Sequence, residues 1–376
     1  MAGRKMNQFQ AVIVGAGPAG LSAAIELAKA GAKAAVIDEN SKPGGQLFKQ
    51  IHKFFGSSEH LAGVRGYDIG ARLLDETKKS GVELFLDAPV YGLFPHPAGF
   101  MVSFLKEKRE RAVIGEKIIL AAGAAENTLA FPGSTLPGVM GAGCAQTMIN
   151  VHRVLPGKKF IMIGSGNVGL IVSYQLMQAG AEVLALVDAA PVIGGYGVHA
   201  AKLRRAGTPV YLRHTIKKAM GKTHVEKIEI ITLDEEFREI PGTEKQFEAD
   251  TVCIATGLTP LTELAWLAGC GFVYIPILGG HIPIHNENME TSVPGLYVAG
   301  DITGAEEAST AMEEGRLSGI AAAEALGLYS AEKARVLKNE VWDRLNALRT
   351  GPFGQKRYEA KAQLLEAAKR GKQGEK

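Results

Sequence analysis

The chain has 376 residues, enough for about two domains, and its 46% hydrophobic and 22% charged residues with 46 glycines are the composition of a soluble globular protein rich in glycine. Its 42 Lys and Arg against 39 Asp and Glu leave a charge of +3, gathered largely in the tail, so no basic face argues for nucleic acid. Three cysteines without a close pair, Cys144, Cys253 and Cys270, fit a reducing compartment and exclude a CxxC redox centre or an iron-sulfur cluster held by this chain alone.

The first ten residues, MAGRKMNQFQ, lack the apolar run of a signal peptide and a strand pattern follows at once, so a cytoplasmic location is expected. The next stretch, AVIVGAGPAGLSAAIELAKAGAKAAVIDE from Ala11 to Glu39, reads as apolar strand, GxGxxG turn, helix and second strand. Gly15 allows the tight turn, Gly17 lets backbone NH groups approach a pyrophosphate, and Gly20 permits close packing of helix on strand, with Pro18 and Ala19 opening the helix. The helix amino end adds partial positive charge, and Asp38 at the end of the second strand is placed to accept from ribose hydroxyls.

The layout returns at FIMIGSGNVGLIVSYQLMQAGAEVLALVD, Phe160 to Asp188, where Gly164, Gly166, Asn167, Val168 and Gly169 form the second motif. Its stretch from Phe160 to Ala181 carries no formal charge, yet Gly, Ser, Asn and Gln interrupt it, so it reads as a buried strand turning into a helix and no membrane span is expected. One difference separates the copies: the seventh residue after Gly31 is Asp38, whereas the seventh after Gly180 is Val187 and Asp188 comes next. A one-residue offset reverses a strand side chain, so the ribose contact of Asp188 is expected to be lost unless the strand end bends. No Arg or Lys follows, which favours NAD(H) or another adenine nucleotide over NADP at this second site, with loss of nucleotide binding as the alternative.

Strand character at EKIILAAGAAE (Glu116 to Glu126, with Ala122 and Gly123) closes the first portion, and DTVCIATGLTP (Asp250 to Pro260) closes the second. A late strand ending in Gly300-Asp301 is followed by an alanine-rich helix, so the first domain is expected to be discontinuous, 8–125 and 285–328, with a second domain, 126–284, inserted. Residues 329–376 form a helical extension: Val336, Val341, Leu345 and Leu348 mark one amphipathic helix, TGPFG breaks it, and a second helix frays into a basic end. That extension reads either as a helix packed on its own domain with a solvated tail or as a docking surface for another chain.

GAGPAG, IDE (37–39), PGGQ (43–46), AAGAAE, LPGVMGAG, GSGNVG, ATGLTP and YVAGD together resemble the flavoproteins with two dinucleotide-binding domains that include thioredoxin reductase. The resemblance implies an α/β fold of two Rossmann-like, three-layer ββα domains, the second inserted into the first, with FAD bound by Gly15, Gly17, Pro18, Ala19, Gly20, Asp38, Glu39, Gly45, Gln46, Ala122, Gly123, Gly300 and Asp301. Asp301 would contact the ribityl chain, and backbone NH groups of Ala308, Ser309 and Thr310 would face the flavin ring. The segment after PGGQ runs beside the ring in such proteins, which makes Lys49 and His52 candidates to supply a proton or a positive charge, against a solvated loop as the plain reading.

Aligned through PGVMGAG, Cys144 takes the first cysteine position of the reductase motif, but Thr147 takes the second, so no disulfide relay can form and Cys144 is expected to be a small buried residue. A closer resemblance is to the FAD-containing alpha subunit of sarcosine oxidase, opine oxidase, dye-linked proline dehydrogenase and hydrogen cyanide synthase. It implies partner subunits, namely an amine-oxidising flavoprotein and a small iron-sulfur protein; homo-oligomerisation is left open. The alternatives are a self-contained NAD(P)H:acceptor reductase and a non-catalytic flavin-bearing assembly subunit. His281 and His285 lack a metal-site context, and no metal is expected.

Overall fold

The structure is a computed structural model that describes residues 6–54, 57–351 and 354–373. The chain forms two compact units, one made of residues 1–125 and 259–376 and the other of 126–258.

In the first unit β1 (Asn7–Val14), α1 (Pro18–Lys29), β2 (Ala34–Ile37), α2 (Gly66–Lys79) and β3 (Glu83–Phe85) are followed by the antiparallel strands β4 (Val90–His96), β5 (Gly99–Lys106) and β6 (Arg109–Leu120). The sheet order is β3-β2-β1-β6-β5-β4. The apolar runs of the central strands follow from burial on both faces. Along these strands Ala11, Ile13, Val36 and Ile119 pack into a core with the helices, while Val12, Val14, Ala35, Ile37, Ile118 and Leu120 pack with Phe100, Val102 and Phe104 on the other side.

The chain leaves this unit through β7 (Ala124–Glu126) and builds the second one from β8 (Val139–Gly141), α3 (Ala142–Thr147), β9 (Lys159–Ile163), α4 (Asn167–Gln178), β10 (Glu182–Asp188), α5 (Gly197–Arg205) and β11 (Val210–Leu212). A three-stranded antiparallel sheet of β12 (His214–Met220), β13 (Lys227–Thr232) and β14 (Lys245–Glu248) precedes β15 (Thr251–Ile254). The main sheet is wholly parallel, in the order β11-β10-β9-β15-β8. The uncharged stretch from Phe160 is thus strand β9 and helix α4, and among the described residues no helix is long and apolar enough to cross a membrane.

The chain returns through β16 (Leu258–Pro260) to α6 (Glu263–Leu267), the hairpin β17 (Phe272–Ile275) and β18 (Gly280–Pro283), β19 (Leu296–Val298), α7 (Ala308–Ala325), α8 (Ala331–Leu348) and α9 (Gln355–Gln373). The second boundary therefore falls between Leu258 and Thr259 rather than at 284/285, because Ala265 and Cys270 are buried in the same core as Val12 and Val298. β19 joins β6 in parallel and completes a seven-stranded sheet.

The extension packs on its own unit. The buried face of α8 is Ala334, Val341 and Leu345, whereas Val336 is half exposed, a correction to the expected stripe. The second helix of the extension is not wholly solvated: Ala360 and Leu364 of α9 are buried against Ile275, Leu278 and Ile282. Pro352 and Phe353 of the expected break lie outside the described residues.

Candidate functional site

In the first unit the glycine motif is fixed by close approach. Gly15 has φ +104°, and a Cβ there would lie 2.2 Å from the carbonyl oxygen of Ala121; at Gly20 it would lie 1.9 Å from that of Gly15. Above Gly17 the space is open, its nearest neighbour being the Cα of Gly45 at 3.9 Å. No side chain caps α1, so its first NH groups remain for an anionic ligand.

Asp38 shapes this loop. Its Oδ2 accepts from the backbone NH of Ala16 at 2.5 Å, while Oδ1 accepts from the NH of Asn40 at 2.7 Å and its amide at 3.0 Å. The buried Asp38 carboxylate thereby holds the loop through protein donors. The exposed carboxylate at the strand end is that of the next residue, Glu39.

Further segments meet the motif. The Gly44 NH donates to the Ala16 carbonyl at 2.6 Å, and Gly45, at φ +53°, would bring a Cβ to 2.8 Å from Gly17 Cα. Gly300, at φ +78°, sits 2.8 Å from Ala19 Cβ by the same measure, and α7 crosses α1 where Gly315 leaves room for the Ala19 carbonyl. Ala122 and Gly123 follow the end of β6 beside Gly15, and no atom lies within 4 Å of a Cβ at Gly123. Ser309 and Thr310 are buried and Ala308 half-buried at the start of α7. Gln46 is exposed; Lys49 ends the 3-10 turn Gly45–Lys49, and His52 stacks on Phe54 with ring centroids 5.4 Å apart.

Loss of solvent pushes the Asp301 carboxyl up to about 7, with Glu314 and Glu306 adding to the rise against the Glu306 NH and Lys361. His281 is exposed beside Trp266 and Tyr274, while buried His285 donates from Nδ1 to the Asn286 carbonyl at 3.0 Å and is pushed down to about 4, chiefly by burial.

The second unit repeats the construction. A Cβ at Gly164 would lie 2.2 Å from the Ala255 carbonyl, one at Gly169 would lie 2.1 Å from that of Gly164, and nothing lies within 4 Å of one at Gly166. The extra residue of this copy is absorbed by a bulge in β10 between Val183 and Ala185. Leu184 and Ala185 consequently pack on the same face, and Asp188 regains the phase of Asp38. Its Oδ2 accepts from the Ser165 NH at 2.6 Å and from the Ser165 hydroxyl at 2.5 Å, the counterpart of the Ala16 contact. The expected reversal of Asp188 does not occur.

A second Gly-Gly pair also recurs: the Gly195 NH donates to the Ser165 carbonyl at 2.9 Å and the Gly194 NH to its hydroxyl at 3.0 Å. Its sequence signal was the equal interval from Asp38 to Gly44 and from Asp188 to Gly194. Asn167 accepts from the Tyr196 NH at 2.8 Å, and Val168 is exposed. Where the first unit carries Glu39, the second carries Ala189, so no carboxylate follows Asp188.

All three cysteines are free. Cys144 is exposed, not buried as expected, and its NH and that of Gly143 donate to the Glu126 carboxylate at 3.2 and 2.5 Å. The Thr147 hydroxyl donates back to the Gly143 carbonyl at 2.8 Å. Burial pushes the Cys253 and Cys270 thiols up, away from reactivity.

The profile of the pyridine nucleotide-disulphide oxidoreductase family matches residues 9–315. The chain belongs to this family. One subunit of the opine oxidase of Agrobacterium tumefaciens (strain Ach5) is 30% identical over 348 residues, covering 86% of this chain and 67% of that protein. Hydrogen cyanide synthase subunit HcnB of Pseudomonas aeruginosa is 28% identical over 341 residues, covering 82% of this chain and 69% of that one. Thioredoxin reductase of T. acidophilum superposes with a TM-score of 0.71 at 20% identity, over 85% of this chain and 99% of that one, a likeness of fold alone. The family and these relatives make the chain an FAD-dependent oxidoreductase.

The two acidic residues at the end of β2 divide the work in a way that mutation separates. Asp38→Ala leaves the Ala16 NH without its acceptor and is expected to lower FAD-free stability by about 1–3 kcal/mol, whereas Glu39→Ala is expected to weaken FAD binding by roughly tenfold with unchanged FAD-free stability. Denaturation midpoints and FAD titration of both variants check this.

Asp301 supplies a pH dependence. A carboxyl raised from 3.8 to about 7 holds its proton more tightly folded than unfolded, so its stabilising contribution is full at about pH 4 and lost as pH rises to about 7. His285, lowered from 6.5 to about 4, has the opposite slope, which the difference between wild type and Asp301→Asn removes. In FAD-free protein that difference in melting temperature is expected to fall by a few degrees between about pH 4 and about pH 8; a flat difference contradicts the assignment.

Proposed function

We propose that this chain is the flavoprotein subunit of a multi-component amino-acid or amine dehydrogenase, with FAD held by the first unit and electrons passing through the flavin without a thiol pair. The observation that carries the reading is the asymmetry of the two cradles. The glycine loops are alike, Gly17 and Gly166 both open and α1 and α4 both uncapped, but the first unit ends β2 on an exposed Glu39. The second has Ala189 in place of that carboxylate and Thr147 where a reductase would carry its second cysteine. A nicotinamide-fed disulfide reductase needs the cysteine pair, and a carboxylate at the position of Ala189 would serve a nucleotide ribose; the second unit has neither.

The residues that would hold FAD are the Gly15–Gly20 loop for the pyrophosphate, Glu39 for the adenosine ribose, Gly44–Gln46 along its length and Asp301 for the ribityl chain. Bound there, FAD supplies hydride or electron transfer at its ring. The chain contributes the fixed NH groups at the starts of α1 and α7, which favour negative charge on the ligand. Lys49 and His52 are proposed as proton donors near the ring. Two relatives are subunits by name, which supports association with other chains. This chain spans about two thirds of their lengths.

A stand-alone NAD(P)H:acceptor reductase is favoured by one observation, the β10 bulge that returns Asp188 to its loop-forming position. Anaerobic stopped-flow spectroscopy of the FAD-loaded chain separates the readings. Slow bleaching by NADH, with fast bleaching by an amino acid or amine once the native partner chains are added, is expected; rapid bleaching of the isolated chain by NADH establishes the reductase instead.

A further inference from the structure

The first unit contains a closed ionic network outside its glycine loop. Its centre is Glu314 of α7, 3% exposed. Glu314 Oε2 accepts from the Gly300 NH at 3.0 Å and from the Thr303 hydroxyl at 2.8 Å. Glu314 Oε1 accepts from Arg349 at 2.6 Å and from Lys361 at 2.9 Å. Arg349 also forks onto Glu306 with distances of 3.1 and 3.0 Å, and Lys361 donates to the Thr303 hydroxyl at 2.5 Å. Both cations come from the C-terminal extension, and at 4% and 5% exposure they have left water almost entirely.

Burying two cations is an expensive way to attach an extension. Desolvation costs several kcal/mol per ion, and an apolar contact of similar volume is often as stable. The anions explain the arrangement. Glu314 grips both ends of the Gly300–Thr303 turn, and that turn is pressed against Ala19 of the glycine motif on its other side. A carboxylate with burial against it holds the turn only while cations keep it ionised, and Lys361 and Arg349 hold Glu314 well below the usual carboxylate range.

We propose that Lys361 and Arg349 are positioning residues of the flavin site: by neutralising Glu314 they fix the Gly300–Thr303 turn and with it Asp301, so that the C-terminal extension completes the cofactor cradle. The proposal rests on the reading of the first unit as the FAD site.

The test uses the full chain, stripped of flavin and titrated with FAD, as wild type, Lys361→Met, Lys361→Arg and the double variant Glu314→Gln with Lys361→Met. The readouts are the FAD dissociation constant, from flavin fluorescence, and the rise in melting temperature that saturating FAD produces. Lys361→Met is expected to weaken FAD binding at least tenfold and to shrink the FAD-induced rise, and Lys361→Arg to restore most of both. The double variant leaves no lone buried charge, so it is expected to melt near the wild type without FAD yet to keep the tenfold binding deficit. The proposal is overturned if the methionine variant lowers the FAD-free and FAD-bound melting temperatures equally with binding within twofold of wild type, or if the double variant binds as wild type does. A wild-type chain that takes up no FAD overturns the underlying FAD reading instead, and this inference with it.

Discussion

Both units are organised by one hydrogen bond, from the backbone NH of the second residue of the glycine motif to the aspartate at the end of the second strand: Ala16 to Asp38 and Ser165 to Asp188. A tight turn of glycines has no side chains to hold its shape, and its NH groups must stay aimed at the ligand rather than at one another. The strand-end carboxylate supplies the missing constraint. From it follow the close contacts of Gly15 with Ala121 and of Gly164 with Ala255, and the folding of a second Gly-Gly pair onto each turn.

The parts of the fold legible in the sequence were those encoded by local pattern: apolar runs, glycine spacing, and helices closed by glycine. The two βαβ units needed nothing more. The phase of Asp188 was not legible, because a bulge is a decision of the sheet: Leu184 and Ala185 are both apolar, and either could have been the extra residue. The division between Asp38 and Glu39 was hidden for a similar reason. Two adjacent carboxylates at a strand end look interchangeable until one is seen turned into the loop and the other into solvent. Cys144, expected to be buried, is instead the exposed residue of the six-residue α3, between the buried Ala142 and Ala145, an orientation that only the packing of the helix decides.

The C-terminal extension resisted the sequence reading most. Arg349 and Lys361 lie in polar stretches that read as solvated, and only the tertiary fold supplies Glu306 and Glu314 to receive them. The same distance in sequence hid the second boundary, since α6 and the β17–β18 hairpin resemble a continuation of the inserted unit until Ala265, Cys270 and Ile275 are seen in the cores of the first. What emerges is an unequal pair: a first unit whose cradle is braced from several sides, and a second that keeps the turn but lacks the carboxylate at Ala189.

That inequality is most directly measured by obstructing each cradle in turn. Gly17 and Gly166 both have extended backbone angles that valine adopts without strain, and a Cβ meets nothing closer than 3.9 Å at either. Valine at Gly17 is expected to abolish the single equivalent of FAD counted from the visible spectrum, while valine at Gly166 leaves it intact. A yellow Gly17→Val protein beside a colourless Gly166→Val protein would contradict the account.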